Sequence, residues 1–250
     1  MRKIYIVPNI VTTGNMFCGF YSMIASIHGD YIPAAWAILA ASVFDMLDGR
    51  IARLAKATSQ FGVEYDSLSD LISFGVAPAI LLYQWTLQPF ERLGWLAAFL
   101  YLACGALRLA RFNVMTGTIS KKYFQGLPIP MAAGLVATFI IFNQTVGWPE
   151  PGSFVSLNIL VLILTFGLAS LMISTVKFPS FKELNWRSRA SFGFLMVGVL
   201  SMILIAVKPE VTLFALLSAY IVISLVWNVF HLFKDEVKSE HTHAEVLNKH

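Results

Sequence analysis

Apolar residues run along this chain in long blocks, separated by short breaks of polar, glycine or proline positions. A helix that crosses a bilayer needs about 20 mostly apolar residues. Blocks of that kind cover about 11–28, 32–54, 64–89, 93–114, 128–147, 154–176, 190–207 and 210–233, which predicts eight spans in a single domain over 1–233. Almost no chain is left for an aqueous domain. The breaks carry turn chemistry: Gly29-Asp30, Gln88-Pro89, the segment Gly147–Gly152, and Lys208-Pro209. No internal repeat of solenoid period is visible. The polar stretch 234–250 reads as a disordered cytoplasmic tail, and its three histidines as part of that tail rather than a metal site.

Composition sharpens the membrane reading. Of 250 residues, 57% are hydrophobic and 13% charged, against roughly 25% charged in a soluble domain. A surface so short of charge must face something other than water, which excludes aqueous globules, disordered chains and nucleic-acid binders. The net charge is +4, and its placement is informative. With the N-terminus in the cytoplasm, 16 of the 18 Lys and Arg residues fall on the inner side of the eight spans; only Arg92 and Lys208 fall outside. That asymmetry predicts an all-α polytopic protein of the cell membrane with both termini cytoplasmic. The basic start, Met1-Arg2-Lys3, resembles a signal peptide, yet Pro8-Asn9 interrupts the apolar region and no small-residue cleavage site follows, so the segment is read as mature chain. Cys18 and Cys104 lie in apolar runs and read as packed small hydrophobes, not as a disulfide or metal pair.

Carboxylates inside a span are costly and need a reason. Asp45, Asp48 and Ala52 are spaced i, i+3, i+7 and share a helix face; Gly62, Asp66 and Asp70 are spaced i, i+4, i+8 and do the same on the next helix. A turn near Lys56–Gln60 sets the two faces opposite each other at the cytoplasmic boundary. Four carboxylates on one cavity cannot all stay ionised without positive charge among them, and Arg53 alone does not balance four. One or two Mg²⁺ or Mn²⁺ ions would, since hard cations prefer carboxylate oxygens. A glycine beside each acid pair leaves room for a bulky anion against the backbone, and metals with an anion point to phosphate chemistry. Two other readings stand beside this one. The acids can pair with Arg50 and Arg53 as helix-to-helix glue, or they can relay cations or protons in a transporter, which would scatter them over several helices.

The run Asp45-x2-Asp48-Gly49-x2-Ala52-Arg53-x8-Gly62-x3-Asp66-x3-Asp70 resembles the signature of the CDP-alcohol phosphatidyltransferases without a gap. That resemblance implies displacement of CMP from a CDP-linked lipid by an alcohol, with two divalent cations on the diphosphate. It implies Asp45, Asp48 and Asp66 as metal ligands, and Asp70 as general base that also touches a metal. It places Gly49, Arg53, Ser59 and Gly62 against the CDP moiety. Pro8-Asn9-x2-Thr12 is similar to the family's short CDP-binding element and adds Asn9 and Thr12; on its own Pro-Asn would only start a helix. Homodimers are common in the family.

The acceptor must be read elsewhere. Arg108 and Arg111 are i, i+3 on one helix face, close to Asn113 and the Gly126–Pro130 break. Each arginine alone reads as a snorkelling cap; together with Asn113 they can hold a carboxylate, which suits the planar guanidinium fork. These segments, with Phe44–Gly49 and Asp66–Pro78, resemble the integral-membrane phosphatidylserine synthases over residues 8 to about 131. The resemblance implies L-serine as acceptor and CDP-diacylglycerol as donor, with the cavity open sideways to membrane lipid. Lys121 and Lys122 read as headgroup contacts. The rivals are another acceptor such as glycerol 3-phosphate or inositol, an ether-lipid donor, and the transporter. A phospholipase-D-like synthase is excluded, because no His-x-Lys occurs.

Overall fold

The computed structural model of the chain describes residues 6–54, 59–115, 123–146, 155–179 and 191–247. The expected segments Gly147–Gly152, Lys56 and Lys121-Lys122, and the side chain of Arg53, lie outside these residues. The fold is helical: α1 (Ile6–His28), α2 (Tyr31–Leu54), α3 (60–90), α4 (Arg92–Met115), α5 (Ile129–Thr145), α6 (Val155–Ile173), α7 (Ser191–Val207) and α8 (Pro209–Leu247). Two three-residue strands, β1 (Tyr123–Gln125) and β2 (Lys177–Pro179), pair antiparallel with Phe124 opposite Phe178 and tie two connecting segments together.

Five helices are long and apolar enough to cross a membrane among the described residues: Pro8–His28, Tyr31–Ile51, Gln60–Phe90, Arg92–Val114 and Pro209–Asn228. Three further apolar helices, Ile129–Thr145, Leu157–Ile173 and Gly198–Val207, are shorter. All eight expected blocks are thus helical, and five reach spanning length. Large apolar side chains lie open on the outside, among them Phe17, Phe20, Phe99, Ile163, Met202 and Ile223, a surface that needs lipid rather than water.

α1 begins five residues before the expected block. Pro8 is accommodated in its first turn, where a missing N–H breaks no helical bond. The helix ends in a Schellman turn: Gly29, at φ 85°, donates to the Ser26 carbonyl and Asp30 to that of Ala25. α2 then returns along α1. α5 is the central helix, buried from Ala132 to Ile141 and packed on α2 and α8. α6 packs on α4.

α3 is not a uniform α-helix. Gln60–Asp70 is α-helical, Leu71–Val76 is a π-turn, Ala77–Leu82 is α again, and Tyr83–Leu87 forms a second π-turn. The first π-turn starts at the residue after Asp70. At the other end of the chain, the stretch predicted to be a disordered tail continues α8 as helix to Leu247. Its polarity suggested disorder, but no glycine or proline follows Pro209 to stop the helix.

Candidate active site

α2 contributes Asp45 and Asp48 from its last turns, and α3 contributes Asp66 and Asp70 from its first three. Ser59 is the N-cap of α3; its hydroxyl accepts from the Gly62 amide at 3.0 Å and so fixes where that helix starts. With both helices so placed, one carboxylate oxygen from each of Asp45, Asp48 and Asp66 lies within 4.8 Å of the other two. Asp48 is only 4% exposed. Asp48 Oδ2 and Asp66 Oδ1 are buried with no hydrogen-bond partner in the protein. Buried polar atoms are rarely left so, and a buried anionic oxygen least of all. Arg50, which the glue reading would pair with these acids, is exposed. The donor set, hard oxygens converging from two helices and unsatisfied by the protein, fits a divalent cation.

α1 supplies the third wall. Thr12 is buried beside the Asp48 carboxylate, to which the Gly49 amide is also close, and the Thr12 hydroxyl donates to the Pro8 carbonyl at 3.1 Å. A Cβ at Gly49 would meet nothing within 4 Å, so backbone beside the acids is open to a ligand. A Cβ at Gly62 would stand 3.2 Å from Ser59 Oγ and 3.9 Å from Asn9 Oδ1, which brings Asn9, Ser59 and Gly62 to one spot. Thr12 and Gly49 therefore border Asp48, while Asn9, Ser59 and Gly62 meet at the start of α3, one turn before Asp66.

Two hydrogen bonds fasten α1 to α3. Ser69 Oγ donates to the Thr12 carbonyl at 3.0 Å, and Ser73 Oγ to the Asn15 carbonyl at 2.9 Å. Close approach requires Gly19, where a Cβ would sit 2.6 Å from Ser73 Cα. Between the two serines, the Asn15 Nδ2 donates to Asp70 Oδ1 at 3.1 Å. Nearer the helix start, the Thr13 and Tyr65 hydroxyls share a hydrogen bond of 2.9 Å. Sequence reasoning missed Asn15, although Asn9, Thr12 and Asn15 recur at i, i+3, i+6 on α1.

The α4 residues divide. Arg108 is 8% exposed, and its Nε is buried without a partner. Arg111 turns to the backbone instead, donating to the carbonyls of Ile173 (3.1 Å), Gln125 (3.0 Å) and Ser174 (3.4 Å). It thereby braces the turn at Gly126, whose φ of 76° suits only glycine and whose Cβ would run into the Met172 carbonyl. Asn113 Nδ2 donates to Ser67 Oγ at 2.9 Å, tying α4 to α3.

A family model described as CDP-alcohol phosphatidyltransferase matches residues 5–171, a stretch that contains Asp45, Asp48, Asp66 and Asp70, the α1 wall, and Arg108 and Arg111. The chain belongs to the CDP-alcohol phosphatidyltransferase family. Among relatives of this phosphatidyltransferase is the CDP-diacylglycerol–serine O-phosphatidyltransferase of Helicobacter pylori strain 26695, 34% identical over 234 residues, covering 94% of this chain and 95% of that one. The protein of the same name from Bacillus subtilis is 36% identical over 177 residues, 71% of this chain and 92% of its own. An archaetidylserine synthase from Methanothermobacter thermautotrophicus is 38% identical over 174 residues, 69% of each chain. The phosphatidyltransferase is thus a membrane enzyme whose acid cluster is a candidate metal site.

Proposed function

We propose that the enzyme transfers a phosphatidyl group from CDP-diacylglycerol to L-serine, giving phosphatidylserine and CMP. The observation that carries this reading is the convergence of Asp45, Asp48 and Asp66 on one point, with two buried oxygens unsatisfied, beside the separately held Asp70. The names of the relatives support serine as the acceptor.

In this proposal Asp45, Asp48 and Asp66, with Asp70 at the edge, hold two divalent cations, Mg²⁺ or Mn²⁺. When bound, such ions neutralise the donor's diphosphate and stabilise the CMP that departs. Asn9, Thr12, Gly49, Arg53, Ser59 and Gly62 take the CDP head, while the acyl chains stay in the bilayer. Asp70 accepts the proton of the serine hydroxyl. The freed oxygen forms a bond to the phosphorus that carries diacylglycerol, and the bond from that phosphorus to CMP breaks. Arg108, buried and with a donor to spare, takes the serine carboxylate. Arg111 and Asn113 act one step back, holding the floor beneath it. The eight helical blocks and the distribution of Lys and Arg support a topology with both termini in the cytoplasm and the cavity on that side of the cell membrane. A homodimer agrees with the family resemblance, and light scattering of the purified enzyme decides it.

The test is CMP release by purified enzyme with CDP-diacylglycerol, Mg²⁺ or Mn²⁺, and serine, glycerol 3-phosphate or inositol in turn. Serine alone should support release; release with inositol and not serine overturns the acceptor. The archaetidylserine synthase relative motivates a parallel arm with an ether-linked donor. Cation-independent ion flux in proteoliposomes, with no CMP formed, would return the transporter reading.

A further inference from the structure

Asn15 is fully buried on α1 and makes two contacts to α3 in different ways. Its backbone carbonyl accepts from Ser73 Oγ at 2.9 Å, and its side-chain Nδ2 donates to Asp70 Oδ1 at 3.1 Å. The first contact belongs to a ladder, shared with Ser69 and Thr12, that fixes the height of α1 against α3. The second belongs to Asp70 alone. Asp70 closes the α-helical part of α3, and the π-turn begins at Leu71; such turns recur at functional sites. A carboxyl at that junction has rotamer freedom unless something external holds it. Asn15 is that hold. It occupies Oδ1 and leaves Oδ2 as the oxygen that can take a proton. The amide orientation follows from chemistry, since the reverse would set Asn15 Oδ1 against a carboxylate oxygen. Asn15 Oδ1 itself is buried without a partner, so the side chain's hydrogen bond is spent on Asp70 through Nδ2.

We propose that Asn15 is the positioning residue of Asp70: its side-chain amide pins Oδ1 so that Oδ2 faces the acceptor hydroxyl. The inference rests on the reading of Asp70 as the base. It separates the work of Asn15 from that of Ser73, which fastens the same helices without touching Asp70.

The experiment compares Asn15→Leu, Asn15→Asp and Ser73→Ala in purified enzyme, with Asp70→Asn beside them. CMP release is measured at saturating donor and acceptor, CDP binding by calorimetry, and the thermal midpoint by unfolding. Losing a supporting hydrogen bond of this kind costs activity roughly 10–100-fold. Asn15→Leu should lose that much in kcat, with donor KM and CDP affinity within about threefold of the parent, as expected when uniform binding is untouched. Asn15→Asp keeps the shape but replaces the amide donor with a second carboxyl that shares a proton with Asp70 and so ties up the base; it should lose kcat alike and serves if the leucine variant does not fold. Ser73→Ala should lower the thermal midpoint and keep kcat. If both Asn15 variants turn over within about threefold of the parent while Asp70→Asn is inactive, the inference is wrong and the base stands. If Ser73→Ala loses kcat as Asn15→Leu does, Asn15 is only part of the helix joint, and the inference is again wrong. An active Asp70→Asn would sink the base itself.

Discussion

Withdrawing divalent cation should destabilise the folded protein by an amount the acid cluster sets. Two fully ionised carboxylates 4.8 Å apart would repel by about 3.5 kcal/mol at an effective dielectric constant of about 20, an upper bound because the cluster does not keep its full charge without a cation. Asp45, Asp48 and Asp66 make three such pairs at that distance or less. A bound cation turns this repulsion into attraction and stabilises the folded state by mass action, about 2.7 kcal/mol at a hundredfold excess over its dissociation constant. For a chain of this length that corresponds to a rise of about 5–10 °C in the midpoint of unfolding. The assay is a thermal scan of the detergent-solubilised enzyme in EDTA and in millimolar Mn²⁺ or Mg²⁺. Asp48→Asn removes two of the three repulsions, so its midpoint in EDTA should lie above the parent's, and its response to cation should nearly vanish. Coincident parental curves with and without cation would refute the reasoning, because the two unsatisfied oxygens would then have to be served by the protein itself.

Asp70→Asn should cut CMP release by about 10²–10⁴-fold, the usual worth of a general base, while calorimetry finds CDP binding preserved. Arg108→Leu should raise the serine KM with little change in donor KM; steady-state kinetics at varied serine checks this. Arg111→Ala should act on stability instead. It strips donors from the carbonyls of Gln125, Ile173 and Ser174, a loss of about 1–3 kcal/mol visible as a lower midpoint, and an altered serine KM with unchanged stability would contradict it. Gly19→Val should be costly, at about 1–3 kcal/mol or more, because its Cβ would press on Ser73 Cα at 2.6 Å; a midpoint equal to the parent's would show that α1 and α3 can part freely.

Much of the site was legible because acids are so rare in these spans. Asp45, Asp48, Asp66 and Asp70 stand out against apolar neighbours, and helical spacing puts each pair on one face before any coordinates are known. Asn15 was not legible in the same way: its partner is 55 positions away, and only the crossing of α1 over α3 brings them together. Arg108 and Arg111 read as one pair from their spacing, yet their side chains part company. Arg111 is drawn to carbonyls 62 and 63 positions downstream that exist as a cluster only after α6 has packed on α4. The π-turns left no mark on the hydrophobic pattern, since a span with altered pitch is as apolar as a regular one. The extension of α8 into the polar tail had a signal, the lack of any breaker, but polarity outweighed it.

The π-turn after Asp70 also sets how this helix tolerates insertion and deletion. An α-helix advances about 100° per residue, so one residue gained or lost shifts everything beyond it by that angle relative to everything before. The acid-bearing half of α3, up to Asp70, and its apolar half, with Leu81, Leu82 and Trp85 in the core, are therefore kept in phase by the extra residue that the wide turn absorbs. Deleting one residue within 71–76 would let the turn relax to an α-helix. The acids would keep their register with the core, whereas the same deletion in the α-helical stretch on either side would swing them out of it, although no acid had been touched. The signature's fixed spacings end at Asp70, and this turn is where the helix converts a chemical register into a packing register.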